Sequence, residues 1–258
     1  MKPEERKAEI ADLVRREGFM SVDDLAEKFD VTTQTIRKDI NQLSEAGLVF
    51  RRHGGVEPIT VMANLAYGVR QVLNLDLKRR LASLAADYIE DGAVLAFSIG
   101  TTPELVAQSL AAKEDLTVIT NNLGVGMACL SYKGCRVFIA GGEIRTSDRD
   151  IVGPEAANFF AKYKVDIGIF GIGGLDPEGH LLDFHEEEVM ARHSILENCR
   201  TSFLVMDHTK LSRPAHVRGG HITDVDYVFC DKPLPENITR LLAQSNTKFI
   251  CPEEKERV

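Results

Sequence analysis

Gly100-Thr101-Thr102-Pro103 has the makings of an anion cradle. Glycine lets the backbone approach a ligand, two hydroxyls donate hydrogen bonds, and proline in a first helical turn leaves a helix start whose free N–H groups attract negative charge. A plain helix start uses the same residues, and the segment is neither a GxxxxGK[ST] P-loop nor a GxGxxG dinucleotide loop. Four further segments carry comparable groups. Thr120-Asn121-Asn122 offers amides that bind hydroxyls or cap a helix. Ala140-Gly141-Gly142-Glu143-Ile144-Arg145 pairs glycines with an arginine, either as an anion site or as a surface turn. Gly171-Ile172-Gly173-Gly174 is dense in glycine, an arrangement that fits a ligand site better than packing. Asp207-His208-Thr209-Lys210 ends on a lysine, a point charge suited to phosphate.

A different chemistry is concentrated earlier in the chain. Gln34, Arg37 and Asn41 are side chains that address base edges, arginine to guanine and the amides to adenine. Thr33, Thr35 and Lys38 suit backbone phosphates, as do Arg51, Arg52 and His53 a few residues on. His53 is equally at home as a simple turn residue.

Those side chains need helices to hold them, and the spacing supplies three. Ile10, Leu13 and Val14 predict a helix over about Glu4–Glu17, closed by Gly18; Ser21 and Asp24 cap a second over Val22–Phe29. After the short connection Asp30-Val31-Thr32, the run TQTIRKDINQLSEAG sets Ile36, Ile40 and Leu43 on one stripe and ends at Gly47. Two helices joined so closely make a helix-turn-helix. At roughly 100° per residue, Gln34, Arg37, Lys38 and Asn41 point away from that stripe. GLVFRRHGG then reads as a β wing with a His-Gly-Gly tip.

From Pro58 the pattern turns irregular, so residues 58–75 are read as a linker between a winged helix-turn-helix domain at 1–57 and an α/β domain at 76–258. The second domain opens with a helix near Lys78–Tyr88. Strand-like runs then alternate with helical ones: AVLAF, LTVIT, CRVFIAG, VDIGIFGI, TSFLVMD, DYVFC and KFIC. That alternation predicts a doubly wound parallel sheet, and in such sheets ligands bind beyond the carboxyl ends of the strands, where all five polar loops fall.

Composition sets the outer bounds. Thirty-one Lys+Arg against 39 Asp+Glu give a net charge of −8, which for the chain taken whole argues against nucleic acid. The basic residues of Val31–Gly55 are locally in excess, however, with Arg37, Lys38, Arg51 and Arg52 set against Asp39 and Glu45. No stretch approaches the roughly 18 apolar residues of a membrane span, and the charged N-terminal run lacks a signal's apolar region, so a cytoplasmic protein is expected. Five cysteines without a CxxC pair predict free thiols, with no disulfide framework and no cysteine zinc site. His185-Glu186-Glu187-Glu188 reads as the acidic first turn of a helix, and Val189 denies it the second histidine of HExxH; no metal and no cofactor are expected. An isomerase-like enzyme with Asp166, Asp183, Glu186 or Glu187 as general base is the rival reading.

The segment Arg6–Gly55 resembles the DNA-binding domain of the DeoR family of bacterial transcription regulators. Thr35-Ile36-Arg37-Lys38-Asp39-Ile40 is similar to its TIRRDL motif, and Arg51, His53, Gly54 and Gly55 to its R-x-HGG wing. Two departures are mild: VT replaces VS at Val31-Thr32, and Lys38 replaces an arginine. The strand-end loops resemble the family's C-terminal domain, similar in fold to ribose-5-phosphate isomerase; IGTTPE, VITNNL, AGGEIR, GIGGLD and DHTK look most like the branch that governs glycerol-3-phosphate use. The resemblance implies a repressor that binds double-stranded operator DNA as a homodimer or homotetramer and is released by a phosphorylated metabolite, glycerol-3-phosphate or a sugar phosphate. The effector residues carried over are Gly100, Thr101, Thr102, Gly173, Gly174, Asp207, Thr209 and Lys210, to which the loop reading adds Asn121, Asn122, Gly142 and Arg145. Ser98 stands where many members have an aspartate to grip a sugar hydroxyl.

Overall fold

The computed structural model describes residues 3–45, 48–58 and 67–252, and the chain divides into two compact units, Met1–Leu73 and Asn74–Val258.

The first unit runs α1 (Pro3–Glu17), β1 (Met20–Ser21), α2 (Val22–Phe29), α3 (Thr33–Glu45), β2 (Val49–Arg52), β3 (Gly55–Pro58) and α4 (Tyr67–Val72). Local chemistry sets the boundaries. Gly18 ends α1 at φ 87°, its N–H donating to the Val14 carbonyl at 3.0 Å. Ser21 Oγ accepts the Asp24 N–H at 3.0 Å to start α2, and Thr32 Oγ1 accepts the Thr35 N–H at 3.2 Å to start α3. The expected stop at Gly47 lies outside the described residues. Ile10, Leu13, Val14, Leu25, Ile36, Ile40 and Leu43 close the core with Val49 and Val56 from the wing. The wing is a β2–β3 hairpin, and the two-residue β1 joins it on the far side in the order β1-β3-β2, too short a strand for any periodicity to announce. Gly55 is required there, since a Cβ would run into the Phe19 ring at 2.6 Å. Helix α4 falls inside the stretch expected to be irregular. Tyr67 is buried, but six residues containing glycine and two valines carry no legible apolar stripe.

The second unit opens with α5 (Leu75–Ala86), then β4 (Val94–Phe97), α6 (Thr101–Gln108), β5 (Thr117–Thr120), α7 (Leu123–Cys129), β6 (Arg136–Ile139), α8 (Pro154–Phe160) and β7 (Val165–Phe170). It continues through β8 (Gly174–Leu175), β9 (His180–Asp183), α9 (Glu186–Asn198), β10 (Cys199–Met206), β11 (Val217–His221), β12 (Tyr227–Cys230), α10 (Glu236–Ala243) and β13 (Lys248–Ile250). Seven strands form one sheet, parallel throughout, in the order β13-β12-β10-β7-β4-β5-β6. Its two faces are covered separately. Leu95 and Phe97 of β4 pack with Leu81, Ala85 and Val106, whereas Ala96 between them packs with Phe160, Ala191 and Ile195. From β4 the chain builds outward through β5 and β6, then returns to lay β7 on the other side of β4. That reversal makes the β4/β7 boundary the switch point of the sheet. A small antiparallel sheet, β11-β9-β8, was not anticipated; its strands are two to five residues long and rich in glycine.

Candidate functional site

Helix α3 turns Ile36, Ile40 and Leu43 into the core and leaves Gln34, Arg37, Lys38 and Asn41 exposed, the face that helical geometry predicts. Its inner side also carries a charge. Asp39 is buried and accepts a hydrogen bond from Arg6 Nε of α1 at 2.6 Å, which ties the two helices at one azimuth. From the wing, Arg51 Nη1 donates to Asn41 Oδ1 at 2.9 Å, so hairpin and helix present one polar surface. Arg52 is exposed but turned back on the hairpin: its Nε donates to Glu57 at 2.8 Å and its guanidinium lies 5.6 Å from the Phe50 ring. The Thr35 hydroxyl lies 2.9 Å from that of Thr32, Thr33 is half-buried, and His53 is exposed at the tip beside Gly54 with φ 79°.

In the second unit the parallel register brings the ends of β4, β5, β6, β7 and β10, and so all five polar loops, to one edge of the sheet. Ser98 continues β4, its N–H donating to the Ile169 carbonyl at 2.9 Å, and is itself buried. Gly100 has φ 116°, a backbone that side-chain-bearing residues rarely adopt, and leads into α6 with Thr101 and Thr102 buried at its start. Asn122 Nδ2 donates to the Gly100 carbonyl at 3.2 Å, joining the second loop to the first. Across the switch point, Asp207 accepts hydrogen bonds from both the N–H and the hydroxyl of Thr209. Burial alone would raise the Asp207 carboxyl, but the positive charges of Lys210 and Lys78, with the Thr209 hydrogen bonds, hold it below its ordinary value.

Lys78 is the participant the sequence reading missed. It lies on α5, buried, with Nζ 3.4 Å from Thr101 Oγ1 and 4.0 Å from Asp207 Oδ2. A signal was present, because Lys78, Leu81, Ala82 and Ala85 fall on one helical stripe and a lysine on an apolar stripe needs a reason.

Several expected ligand residues also hold the scaffold. Arg145 is engaged by carboxylates: Nε and Nη2 reach Asp150 at 2.9 and 2.8 Å, and Nη2 reaches Glu188 at 2.9 Å. The arginine expected to meet an anion therefore anchors its own loop to α9. Burial, with the nearby charge of Asp183, raises the Glu188 carboxyl, against the pull of Arg145. The glycine pair also has a packing cause. The Gly173 N–H donates to Asp183 Oδ1 at 2.7 Å, and a Cβ at Gly174 would collide with the Arg213 carbonyl oxygen. Asn122 Oδ1 caps α7 through the Gly124 N–H at 2.9 Å, while Asn121, fully buried, donates to the Ile151 carbonyl at 2.7 Å. Gly142, at φ 141°, is exposed. Among the described residues Asp176, Glu178 and His180 form a group of metal-ligand type, yet Asp176 already closes that turn by accepting the His180 N–H at 2.7 Å.

Compared with known proteins, residues 6–61 match the DeoR-like helix-turn-helix domain and residues 73–232 the DeoR C terminal sensor domain. The chain belongs to the DeoR family. Among its relatives, the glycerol-3-phosphate regulon repressor of Escherichia coli is 38% identical over 249 residues, 96% of this chain and 99% of that one. Its counterpart in Haemophilus influenzae is 37% identical over 257 residues, covering both chains completely, and the repressor CsqR of Escherichia coli is 34% identical over 96% of this chain and 95% of its own. Of solved structures, ribose 5-phosphate isomerase from Plasmodium falciparum overlaps 53% of this chain and 52% of its own at 15% identity, with a TM-score of 0.38, too weak a likeness to build on.

As a DeoR-family member the protein is a DNA-binding transcription regulator and not an enzyme, in keeping with relatives named as repressors. The bases of the rival reading are also dispersed. Asp166 accepts the Val94 N–H at 3.0 Å, at the opposite end of β7 from the loops; Asp183 is paired with Arg192; Glu186 and Glu187 are exposed on α9. No helix among the described residues is long and apolar enough to cross a membrane.

Proposed function

We propose that this protein represses a glycerol-3-phosphate or related carbohydrate regulon and leaves its operator when a phosphorylated metabolite binds the strand-end cluster. The observation that carries the reading is the meeting, at the switch point, of Lys78, Asp207, the Lys210 loop and the start of α6: cationic side chains and a helix N-terminus suit a phosphate monoester. Residues 1–57 read DNA, 58–75 link, and 76–258 sense. Gln34, Arg37 and Asn41 take base edges, with Thr33, Lys38, Arg51 and His53 on phosphates. Gly100, Thr101, Thr102 and Lys210 hold the effector's phosphate, and Ser98 lies beside its carbon skeleton. One winged domain covers a short half-site, so a homodimer or homotetramer joined through the α/β units gives the repeated contacts an operator needs.

Linkage fixes the thermodynamics. An effector that weakens operator binding by some factor is itself weakened by operator by the same factor. A fluorescence-anisotropy titration tests the reading, using DNA from upstream of the protein's own gene at fixed salt, repeated with glycerol-3-phosphate and a panel of sugar phosphates. Release by glycerol-3-phosphate alone supports the glycerol branch. Release by another phosphate assigns the difference to the surroundings of Ser98, and specific binding that no phosphate weakens overturns the effector reading.

A further inference from the structure

The seven-stranded sheet ends on one side at β6, whose outer edge is open. Arg136 and Ala140 donate their N–H groups to the Leu116 and Thr120 carbonyls at 2.8 and 2.9 Å, on the β5 side. Alternation along the strand therefore turns the N–H and C=O groups of Val137 and Ile139 outward, and among the described residues no strand pairs with them. An open edge of this kind invites another strand, and proteins that remain single guard it with charge, proline or a covering segment. Here Arg136, at the first position, lies over the Phe138 ring at 5.2 Å, and the three residues after it are apolar.

The surface beside that edge is apolar as well. Of the large apolar side chains exposed among the described residues of the second unit, Met127, Leu130, Ile139 and Ile144 come from α7, β6 and the turn after it, with only Tyr88 and Met190 elsewhere. Gly126 brings α7 close: a Cβ there would meet Ile139 Cδ1 at 3.4 Å and Val137 Cγ1 at 3.9 Å, so Val137, Ile139 and α7 share one face of the sheet. Phe138 faces the other way, its ring 5.6 Å from that of Tyr163. Charge is uneven along the strand, since exposed Arg136 begins it and exposed Glu143 lies just beyond its end.

Resting on the reading that copies join through their α/β units, we infer that β6 of a second copy fills this edge, laid antiparallel about a two-fold axis that passes beside Phe138. A two-fold arrangement of identical edges closes after two copies and makes the paired strands antiparallel. With Val137 opposite Ile139 of the other copy, their outward N–H and C=O groups exchange hydrogen bonds across the seam, and the two seven-stranded sheets become one. Ile139, Met127 and Leu130 are then covered by the other copy's β6 and α7 on one face, while the two Phe138 side chains become cross-strand neighbours on the other. Each Arg136 is carried toward the other copy's Glu143. That match of opposite charges at opposite ends of one strand makes the edge complementary to itself, which favours a second copy over a foreign strand.

The test uses the full chain, with its association followed by sedimentation velocity over a concentration series. Wild type is expected to assemble. I139K/L130K, which places charge on two exposed side chains of the seam, is expected to raise the dissociation constant at least about a hundredfold and at least to halve the number of chains per particle. If that variant is not folded by circular dichroism, L130K alone decides, with a rise of at least about tenfold expected. R136E and E143R should each weaken association about tenfold, and R136E/E143R, which exchanges the charged ends, should return it to within about threefold of wild type. F138C reads the register: under mild oxidation it is expected to run as a covalent dimer on a non-reducing gel, where wild type with its five native cysteines does not. Wild-type association in the lysine variants, no recovery in the exchanged pair, or no covalent dimer from an assembled F138C overturns the β6 seam and leaves the oligomer reading standing. A wild-type protein that sediments as a single chain throughout overturns the oligomer reading itself, and the seam with it.

Discussion

The two units keep their working polar groups in opposite places. Helix α3 holds Gln34, Arg37, Lys38 and Asn41 out in solvent over an apolar core, whereas the strand ends and the helices α5 and α6 beside them hold Ser98, Thr101, Thr102, Asp207 and Lys78 inside. A groove is wide enough to receive a helix, so its reader stands proud of the surface and each reading side chain bears little structural load. A small anion must be surrounded, so the groups proposed to bind one are buried and each is also part of what holds the unit together. Function and stability should therefore separate cleanly by mutation in the first unit and stay entangled in the second.

The largest expected effect tests the exception in the first unit. Asp39→Ala leaves Arg6 buried beside an empty partner position and should cost about 3 kcal/mol of stability. Denaturant unfolding followed in this unit reads it, and a loss of about 0.5 kcal/mol or less would show the pair to be ornamental. Next, Arg37→Ala should weaken operator binding by about 1–3 kcal/mol for each half-site, leaving affinity for random DNA and the melting temperature nearly unchanged. Equal discrimination of operator from random DNA by mutant and wild type sinks the reading-face assignment. Lys210→Ala should keep operator affinity and raise the effector concentration for half-release about tenfold, roughly 1.4 kcal/mol; a wild-type response moves the phosphate site elsewhere.

The smallest effect concerns acid. Because the Asp207 carboxyl is held below the ordinary 3.8, it contributes stability that is present above that value and is lost as pH falls through its lowered one. Asp207→Asn should flatten the acid side of the melting profile of the second unit below about pH 4, and leave the profile above it parallel to wild type. An unchanged acid limb would mean that the carboxylate, though buried, is not held by the two lysines.

How much was legible in the sequence follows the same division. The three helices, the wing and the outward face of α3 came from periodicity and capping, because their partners lie within a few residues and a helix face repeats regularly. The seven parallel strands were visible as short apolar runs, and the placing of five loops at their ends followed from topology. Which residues in those loops touch one another was not visible. Arg145 meets Glu188 from 43 positions away, and the Gly173–Asp183 bond depends on the two-residue strand β8 lying along β9. Glycine density looked like room for a ligand because a close backbone approach leaves the same mark, whichever group approaches. Lys78 escaped notice because a single cation in a helix is usually solvated, and only its stripe marks it as buried.

The order of strands also sets a timetable for synthesis. The winged domain closes on contacts made by Pro58, and folding of that kind is local and quick. The central strand β4 has no neighbour on its far side until β7, near residue 170, has emerged, and the loop bearing Lys210 follows later still. At about 5–20 residues per second, a nascent chain has a finished DNA-binding domain for roughly 8–30 seconds before its sensor domain can close. Ribosome-held chains stalled near residue 100, or after a linker added beyond residue 258, would expose the interval, the first protecting only the winged domain from protease and the second both units. A newborn molecule is, for that interval, a DNA-binding domain without its sensor.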